Sequence, residues 1–233
     1  MQTIKPQIIS FTAILAFLVF LIGCAGSPNA ADPSAEPAPG PDRSALDRSP
    51  LRFNDLSPVQ PQPLADSLEP GLAVIYHHHY FARSLNPLTG GYVQDKPGTF
   101  GEPVLSLNHQ FGRNEVFDSG TNRGVGVRMQ GLLKFPKAGE YTFHAVSNDG
   151  LRIYIDNTRI IDDPSQHSDR FAVPAVVTID QPGWYSFRLE YFQRKGTAAL
   201  QLFWRTPGTE NFIPVPPAAL AHRAEDQKAL PFE

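Results

Sequence analysis

Two runs of alternating apolar and polar residues, joined by a polar corner, constrain the fold of this 233-residue chain more than any other feature. The apolar positions of the two runs are Tyr141, Phe143, Ala145, Leu151, Ile153 and Ile155. Side chains alternate across a β-strand, so each run predicts a strand that buries one face and exposes the other to water. The intervening sequence SNDG, residues 147–150, is typical of a tight turn, because Asn, Asp and Gly tolerate left-handed backbone. We therefore expect the strands to be scaffold and any function to lie at the polar corners.

The remainder of the C-terminal two thirds predicts more strands of the same kind. Apolar residues alternate or cluster in 71–76, 125–135, 173–179, 184–192 and 200–204. No segment has a convincing helical period, and turn residues recur about every eight to twelve positions. Together these patterns predict an all-β fold, either a sandwich or a barrel.

The first 23 residues indicate export. Residues 11–22 are almost entirely apolar. Twelve residues in a helix span about 18 Å, which is too short for the roughly 30 Å hydrocarbon core, so the segment predicts a signal peptide. It ends in the sequence LIGC, which resembles a bacterial lipobox with Cys24 as the lipidated residue. The alternatives are an uncleaved anchor or an ordinary signal with an incidental cysteine.

Cys24 is the only cysteine, so an internal disulfide is excluded. Acyl chains such as palmitate on this residue would hold the chain firmly to a membrane, since each buried CH₂ contributes about 0.8 kcal/mol. The resemblance to such lipoproteins implies that Ala25, because it is not Asp, permits sorting to an outer membrane if the cell has one. We predict a bacterial lipoprotein of the cell envelope, at the outer membrane or the cell surface.

Proline, alanine, serine and aspartate dominate residues 24–70, which predicts a disordered, semi-extended tether. The prediction treats the whole segment as a tether and gives no weight to local docking of Leu51, Phe53 and Leu56 on the domain. Residues 71–222 are assigned to the folded domain and residues 223–233 to a C-terminal tail. The net charge of −3 argues against binding to nucleic acid and against electrostatic capture by anionic lipid.

Several motifs, in the right order, resemble the PA14 domain family. The central segment AGEYTFHAVSNDGLRIYIDNTRII is similar to that family's strand, Ser-Asp-Asp-Gly turn and following hairpin. The sequences RMQG before 135–136, EYF followed by LQLFW, and the ending IPVP match its lead-in, closing hairpin and end. The resemblance covers about residues 71–222. It implies an antiparallel β-sandwich of two sheets, often serving as a glycan-binding module.

The same resemblance implies a calcium site in the first turn. In the glycan-binding members, two adjacent aspartates joined by a cis peptide hold Ca²⁺, and the ion coordinates sugar hydroxyls. The matching positions are Asn148 and Asp149, where an amide replaces one carboxylate. The second binding loop matches residues 193–197, in which Arg194 and Lys195 would repel a cation. The alternative is a structural turn in which Asn148 or Asp149 caps the backbone.

Tyr154, Arg194 and Lys195 are the candidates for glycan contact. Tyr154, like Trp184 and Tyr76, would stack on a sugar if exposed, although aromatic residues in a sandwich more often belong to the core. The histidine run 77–79 and the polar loop 162–169 contain metal-ligand residue types. For both we expect exposed, solvated side chains rather than a metal site.

We find no catalytic pattern: no Gly-x-Ser-x-Gly elbow, no free cysteine after lipidation and no glycine-rich phosphate loop. The sequence therefore predicts a non-catalytic, envelope-anchored module that binds a glycan or cell-wall polymer, with Ca²⁺ as a weakened cofactor prediction. The basic loop suits an acidic sugar. The alternative is a structural or protein-interaction module of an envelope assembly, without sugar or calcium binding.

Overall fold

The computed structural model of the chain describes residues 40–89 and 98–227. The strands in this part of the chain are β1 Leu51–Phe53, β2 Glu69–Pro70, β3 Ala73–His78, β4 Thr99–Phe100, β5 Asn108–Gly112, β6 Val125–Phe135, β7 Gly139–Asn148, β8 Leu151–Ile155, β9 Thr158–Asp163, β10 Arg170–Phe171, β11 Ala175–Ile179, β12 Gly183–Gln193, β13 Ala198–Arg205, β14 Ile213–Pro214 and β15 Leu220–His222. Short 3₁₀ helices cover Ser44–Asp47, Ala65–Ser67, Asn86–Thr89 and Pro217–Ala219. None of the helices described has the length and apolarity needed to cross a bilayer. The predicted signal peptide, Cys24 and residues 25–39 of the predicted tether lie outside the described residues.

The strands form two sheets. In the first sheet the order is β1-β11-β7-β13-β14, with β10 also on β7 and β5 also on β13. In the second it is β2-β15-β6-β12-β8-β9, with β3 on β6 and β4 on β3. Neighbouring strands run antiparallel, apart from the parallel pair β1 and β11. The predicted all-β sandwich of two sheets is confirmed.

The core lies between the two sheets and uses the apolar positions that the alternation predicted. Its aromatic centre is Phe135 in β6, whose ring centroid lies 4.7 Å from that of Tyr141 and 5.1 Å from that of Tyr185. Trp204 in β13 closes the cluster, 5.5 Å from Tyr141. The predicted inner positions of β7, β8, β12 and β13 are all buried. Burial of these large rings supplies much of the hydrophobic stabilisation of a chain that cannot form an internal disulfide.

The outer face of the second sheet is partly covered, which the alternation did not predict. Arg128, Arg152 and Glu190 point away from the core yet are only 5%, 7% and 2% exposed. The segment 80–89 contacts this face, because Arg152 Nη2 donates to Asn86 Oδ1 over 2.7 Å. A second apolar cluster holds this segment in place: Tyr80, Leu85, Leu88 and Phe192. The prediction that the polar face of each run is exposed to water is therefore wrong at Arg152, where a segment distant in sequence contacts the side chain.

Residues 40–70, named the strap here, differ from the predicted disordered tether. β1 adds a parallel strand to the edge of β11. Leu56 is 6% exposed and belongs to the core. Val59 N donates to Trp184 O over 2.9 Å, and Gln62 Oε1 accepts from Trp184 N over 2.8 Å. The strap is ordered because a few apolar side chains and many backbone groups find partners on both sheets, despite its proline-rich composition.

Candidate functional site

The turn between β7 and β8 is built by close backbone packing. The peptide bond between Asn148 and Asp149 is cis. Tyr191 Oη donates to the carbonyl of Asn148 over 2.6 Å. Gly150 lies so near Pro164 that a Cβ added at this position would be 2.6 Å from the Pro164 carbonyl. Only glycine fits here, so the SNDG sequence is shaped by its neighbours as well as by local turn preference.

Asp149 fastens two loops to this turn. Its side chain is buried, at 2% exposure. Oδ1 accepts a hydrogen bond from His167 N over 3.2 Å, and Oδ2 accepts one from Arg194 N over 2.8 Å. Burial raises the pKa of Asp149, while these two hydrogen bonds and the nearby cationic groups act in the opposite direction. The carboxylate therefore holds both loops in fixed positions beside the turn.

Asn148 acts as a hydrogen-bond donor at the same place. Its Nδ2 donates to Asp169 Oδ1 over 2.7 Å and to Thr197 Oγ1 over 3.2 Å. The other carboxylate oxygen of Asp169 accepts from Gln110 Nε2 over 2.6 Å. The amide thus links the turn to the same two loops that Asp149 holds.

This donor set fits a divalent cation poorly. Ca²⁺ requires about six to eight oxygen ligands. Both oxygens of Asp149 already accept backbone N–H groups, and Asn148 turns an N–H, rather than an oxygen, toward Asp169. Within 40–89 and 98–227, no three or more His, Cys, Asp or Glu side chains gather in a way that could hold a metal ion. The geometry resembles that of a hydrogen-bonded turn, and calcium binding stays a prediction.

Arg194 is brought to the turn, and with it an aromatic residue that the sequence analysis missed. Arg194 Nε donates to Phe81 O over 3.1 Å, and Gly124 N donates to Arg194 O over 3.0 Å. The Phe81 side chain is 46% exposed and packs over Gly124, where a Cβ would lie 2.4 Å from its ring. Phe81 follows the end of β3 in a stretch without alternation, so no periodic signal marks it. Lys195 is exposed.

We call Phe81, Asn148, Asp149, Arg194 and Lys195 the corner. A cavity of about 410 Å³ adjoins it, and Phe81 is one of its walls. The other lining residues are His78, His79, Thr121, Arg123 and Gly124. The corner thus combines an exposed ring, cationic side chains and a concave surface.

Tyr154 lies elsewhere. It occupies β8, five residues after Asp149, or about 17 Å along the strand. Its ring packs under the guanidinium of Arg188 in β12, with Cζ 4.0 Å from the ring centroid. The predicted glycan-contact residues are therefore not one cluster: Arg194 and Lys195 belong to the corner, whereas Tyr154 lines a groove on the second sheet.

The other two aromatic candidates have different surroundings. Tyr76 is 1% exposed, and its hydroxyl donates to Asp118 Oδ1 over 2.5 Å. Burial, with the adjacent Asp118, raises the pKa of this phenol. Trp184 is half-buried beneath Lys134, whose Nζ lies 5.4 Å from the indole centroid. Of the two, only Trp184 retains surface that a ligand could contact.

The polar loop and the histidine run differ from the predicted solvated groups. Asp162 accepts from Arg152 Nε over 2.8 Å. Asp163 accepts from both nitrogens of the Arg170 fork and lies 3.2 Å from His167 Nε2. Burial raises the pKa of Asp163, but the His167 and Arg170 contacts outweigh it and lower that pKa to about 2. The loop is an ion-paired support for the corner.

In the histidine run, only the last residue is exposed. His77 is 1% exposed, and His78 Nε2 lies 2.7 Å from Ser119 O. His79 follows the end of β3 with a positive φ of 59°. The expectation of exposed histidines is thus wrong for His77, which is buried on the face of β3 opposite to the core residues Val74 and Tyr76.

Comparison with known proteins adds the family relationship. A sequence model of the PA14 domain matches residues 89–216, more than half of the chain. The anti-sigma-I factor RsgI3 of Acetivibrio thermocellus is 30% identical over 78 residues, which make up 34% of this chain. The chain spans only 12% of the length of that relative.

Solved structures share the fold. The PA14 domain of the antifreeze protein MpAFP superposes with a TM-score of 0.53 at 18% identity, covering 70% of this chain and 96% of that domain. The A domain of epithelial adhesin 9 from Candida glabrata gives a TM-score of 0.56 at 11% identity, covering 75% and 97%. For an anti-sigma factor domain-containing protein the TM-score is 0.53 at 20% identity, and the match covers 65% of this chain and 47% of that protein.

Proposed function

The chain belongs to the PA14 domain family, and on that premise we propose that it is a non-catalytic module that binds carbohydrate at the corner. The family likeness supports this, because the epithelial adhesin 9 A domain is described in complex with Galβ1-4GlcNAc and with Galβ1-3GlcNAc. The related adhesin 6 A domain is described with Galβ1-3GlcNAc.

One observation carries the proposal: the buried Asp149 carboxylate fixes the loop of Arg194 and Lys195, and Arg194 in turn bonds the carbonyl of Phe81, whose ring is exposed. An aromatic ring offers an apolar face to the C–H groups of a pyranose, and cationic side chains donate hydrogen bonds to its hydroxyls. Because the loop is already held in place, binding costs little conformational entropy.

Calcium assistance remains a prediction that the donor set at Asn148 and Asp149 weakens. Sugar binding at the corner is therefore expected to persist when calcium is removed. This differs from a site in which the ion itself coordinates the sugar hydroxyls, where chelation would abolish binding.

A glycan array probed with the purified chain tests the proposal, once with millimolar calcium and once with chelator. We expect binding in both conditions and a large loss in Phe81→Ala. The matched control is Phe100→Ala, which removes an equally exposed ring from β4. No binding in either condition, or equal loss in both variants, would count against carbohydrate recognition at the corner. Partners captured despite chelation and excess sugar would instead favour the protein-interaction alternative.

We further propose that Cys24 carries the lipid that anchors the chain in a bacterial envelope. The support is the lipobox-like sequence LIGC. Mass spectrometry of the chain from bacterial membranes should detect acyl chains on Cys24, and Cys24→Ser should move the protein to the soluble fraction. A membrane-bound Cys24→Ser variant without acylation would refute the anchor.

A further inference from the structure

A polar groove lies on the outer face of the second sheet, apart from the corner. The register of β6, β12 and β8 places Gln130, Arg188 and Tyr154 side by side. Ser186, Arg223 and Asp226 complete the main lining of this groove, whose volume is about 190 Å³. Three neighbouring strands therefore supply a rigid floor, and the turn 223–226 supplies one wall.

Arg188 is held in place, and it shares its counter-charge, Glu190, with other arginines. Its guanidinium stacks on the Tyr154 ring, with Cζ 4.0 Å from the ring centroid, which restricts its orientation. Nε of Arg188 is buried and, within the described part of the chain, has no hydrogen-bond partner. The buried carboxylate of Glu190, two residues further along β12, interacts with this guanidinium but also with those of Arg152 and Arg128. A half-buried, oriented cation that shares one carboxylate with two other arginines is suited to binding an anion.

Arg223 adds a second cation at the groove wall. Its backbone N donates to Asp226 Oδ2 over 2.8 Å, and Gln130 Nε2 donates to Asp226 Oδ1 over 3.3 Å. The carboxylate of Asp226 is thus engaged in fixing the turn to the sheet. Since two arginines and one aspartate line the groove, its lining has an excess of positive charge.

We propose that this groove binds the carboxylate of an acidic sugar residue, such as a hexuronate, through Arg188 and Arg223. The planar guanidinium fork matches a carboxylate in a bidentate arrangement. Ser186 and Gln130 lie where they can bond the sugar hydroxyls. The inference rests on the proposed carbohydrate function and adds to it a ligand class and a second contact surface, about 17 Å along β8 from the Asp149 turn.

Calorimetric titration of the full chain with an oligogalacturonide, and with a neutral galacto-oligosaccharide of equal length, tests the groove. Arg188→Gln is expected to weaken oligogalacturonide binding about tenfold or more and to leave neutral-sugar binding unchanged. Arg223→Gln should produce a smaller loss. Arg113→Gln, at an exposed arginine after β5, is the matched control and should leave both unchanged. Thermal unfolding of each variant confirms that it is folded.

The outcomes separate the groove from the proposed function. If only the neutral oligosaccharide binds, the proposal that the groove binds an acidic sugar is wrong, and the proposal of carbohydrate recognition at the corner still stands. Equal oligogalacturonide affinity in Arg188→Gln and Arg113→Gln also overturns the groove, since the acid then binds elsewhere. Competition by inorganic sulfate as strong as that by galacturonate overturns the assignment to a sugar carboxylate. Failure of every glycan to bind overturns both proposals.

Discussion

The side-chain amide of Asn148 donates a hydrogen bond to Oδ1 of Asp169 over 2.7 Å, at the position where the family resemblance implies a second calcium-binding carboxylate. The amide of Asn148 attracts Asp169 to the turn, whereas a carboxylate at position 148 would repel Asp169. Hydrogen bonds from the Asn148 amide to Asp169 and Thr197 thereby hold the turn to its neighbouring loops.

Replacing Asn148 by Asp is expected to destabilise the protein in calcium-free buffer by about 1–3 kcal/mol, because a donor is lost and two carboxylates are brought together. The same variant gains an oxygen ligand for a cation. Millimolar calcium should therefore raise its melting temperature more than that of the unaltered chain. Differential scanning calorimetry with calcium and with chelator measures both effects.

The control for this change is Asn114→Asp, which alters an exposed residue after β5 and should change stability by no more than about 0.5 kcal/mol. A calcium response in the unaltered chain as large as in Asn148→Asp would contradict the account given for the amide.

Asp149→Asn is expected to cost about 2–3 kcal/mol of unfolding free energy. An amide at this buried position can accept one of the two backbone N–H groups but meets the other with its own N–H. Urea unfolding measures the loss. Hydrogen exchange at the His167 and Arg194 amides should accelerate selectively. Asp180→Asn, at an exposed acid, is the control, and unchanged exchange at both amides would disprove the fastening role.

Leu56→Ala should destabilise the protein by about 2–4 kcal/mol, because Leu56 is 6% exposed within the core although it belongs to the strap. Leu64, in the same segment, is 73% exposed, so Leu64→Ala should change the free energy of unfolding by less than about 0.5 kcal/mol. Urea unfolding of the two variants compares them directly. Equal, small effects would show that the strap is the tether its composition predicts.

His144 makes stability depend on pH. Burial, together with Arg205 and Arg43, lowers its pKa to about 4, and its ring stacks on Phe212 at a centroid distance of 3.8 Å. The unfolded chain takes up a proton near pH 6.5, whereas the native chain does so near pH 4. Between these values the unfolded state binds more protons, so stability falls as pH is lowered through this window.

Allowing for the partial exposure of the ring, the loss is on the order of 1–2 kcal/mol. His144→Gln should flatten the stability profile between pH 6.5 and 4, as measured by urea unfolding at several pH values. Asp163 acts in a lower window, because its pKa is depressed to about 2 and its contribution is lost only as pH falls toward that value. An unchanged slope in His144→Gln would exclude this residue as the source.

The alternation of apolar side chains was sufficient to predict the core. Tyr141, Phe143 and Ala145 in β7 and Leu151, Ile153 and Ile155 in β8 are buried as their spacing indicates. The reason is local: period-two patterning leaves each strand only one face that it can bury without exposing its apolar side chains. The turn at residues 147–150 could also be predicted from local sequence, because its residue types tolerate the backbone that a tight turn needs.

The sequence did not predict the contacts between residues that are distant in the chain. Phe81 belongs to the corner because its carbonyl accepts a hydrogen bond from Arg194, 113 residues away. Leu56 was assigned to a tether because proline-rich composition describes an isolated segment, whereas its burial depends on a space between the sheets that exists only after folding.

The sequence by itself determined that the chain is all-β and which strand faces form its core, because these depend on side-chain period and local turn chemistry. Its resemblance to the PA14 family implied the two-sheet sandwich. Only the tertiary structure decided that Asp149 accepts from two loops at once and that Arg188 stacks on Tyr154. Strand register across the second sheet sets the Arg188–Tyr154 pair. Register is fixed by the packing of the whole core, so no single segment of the sequence contains it.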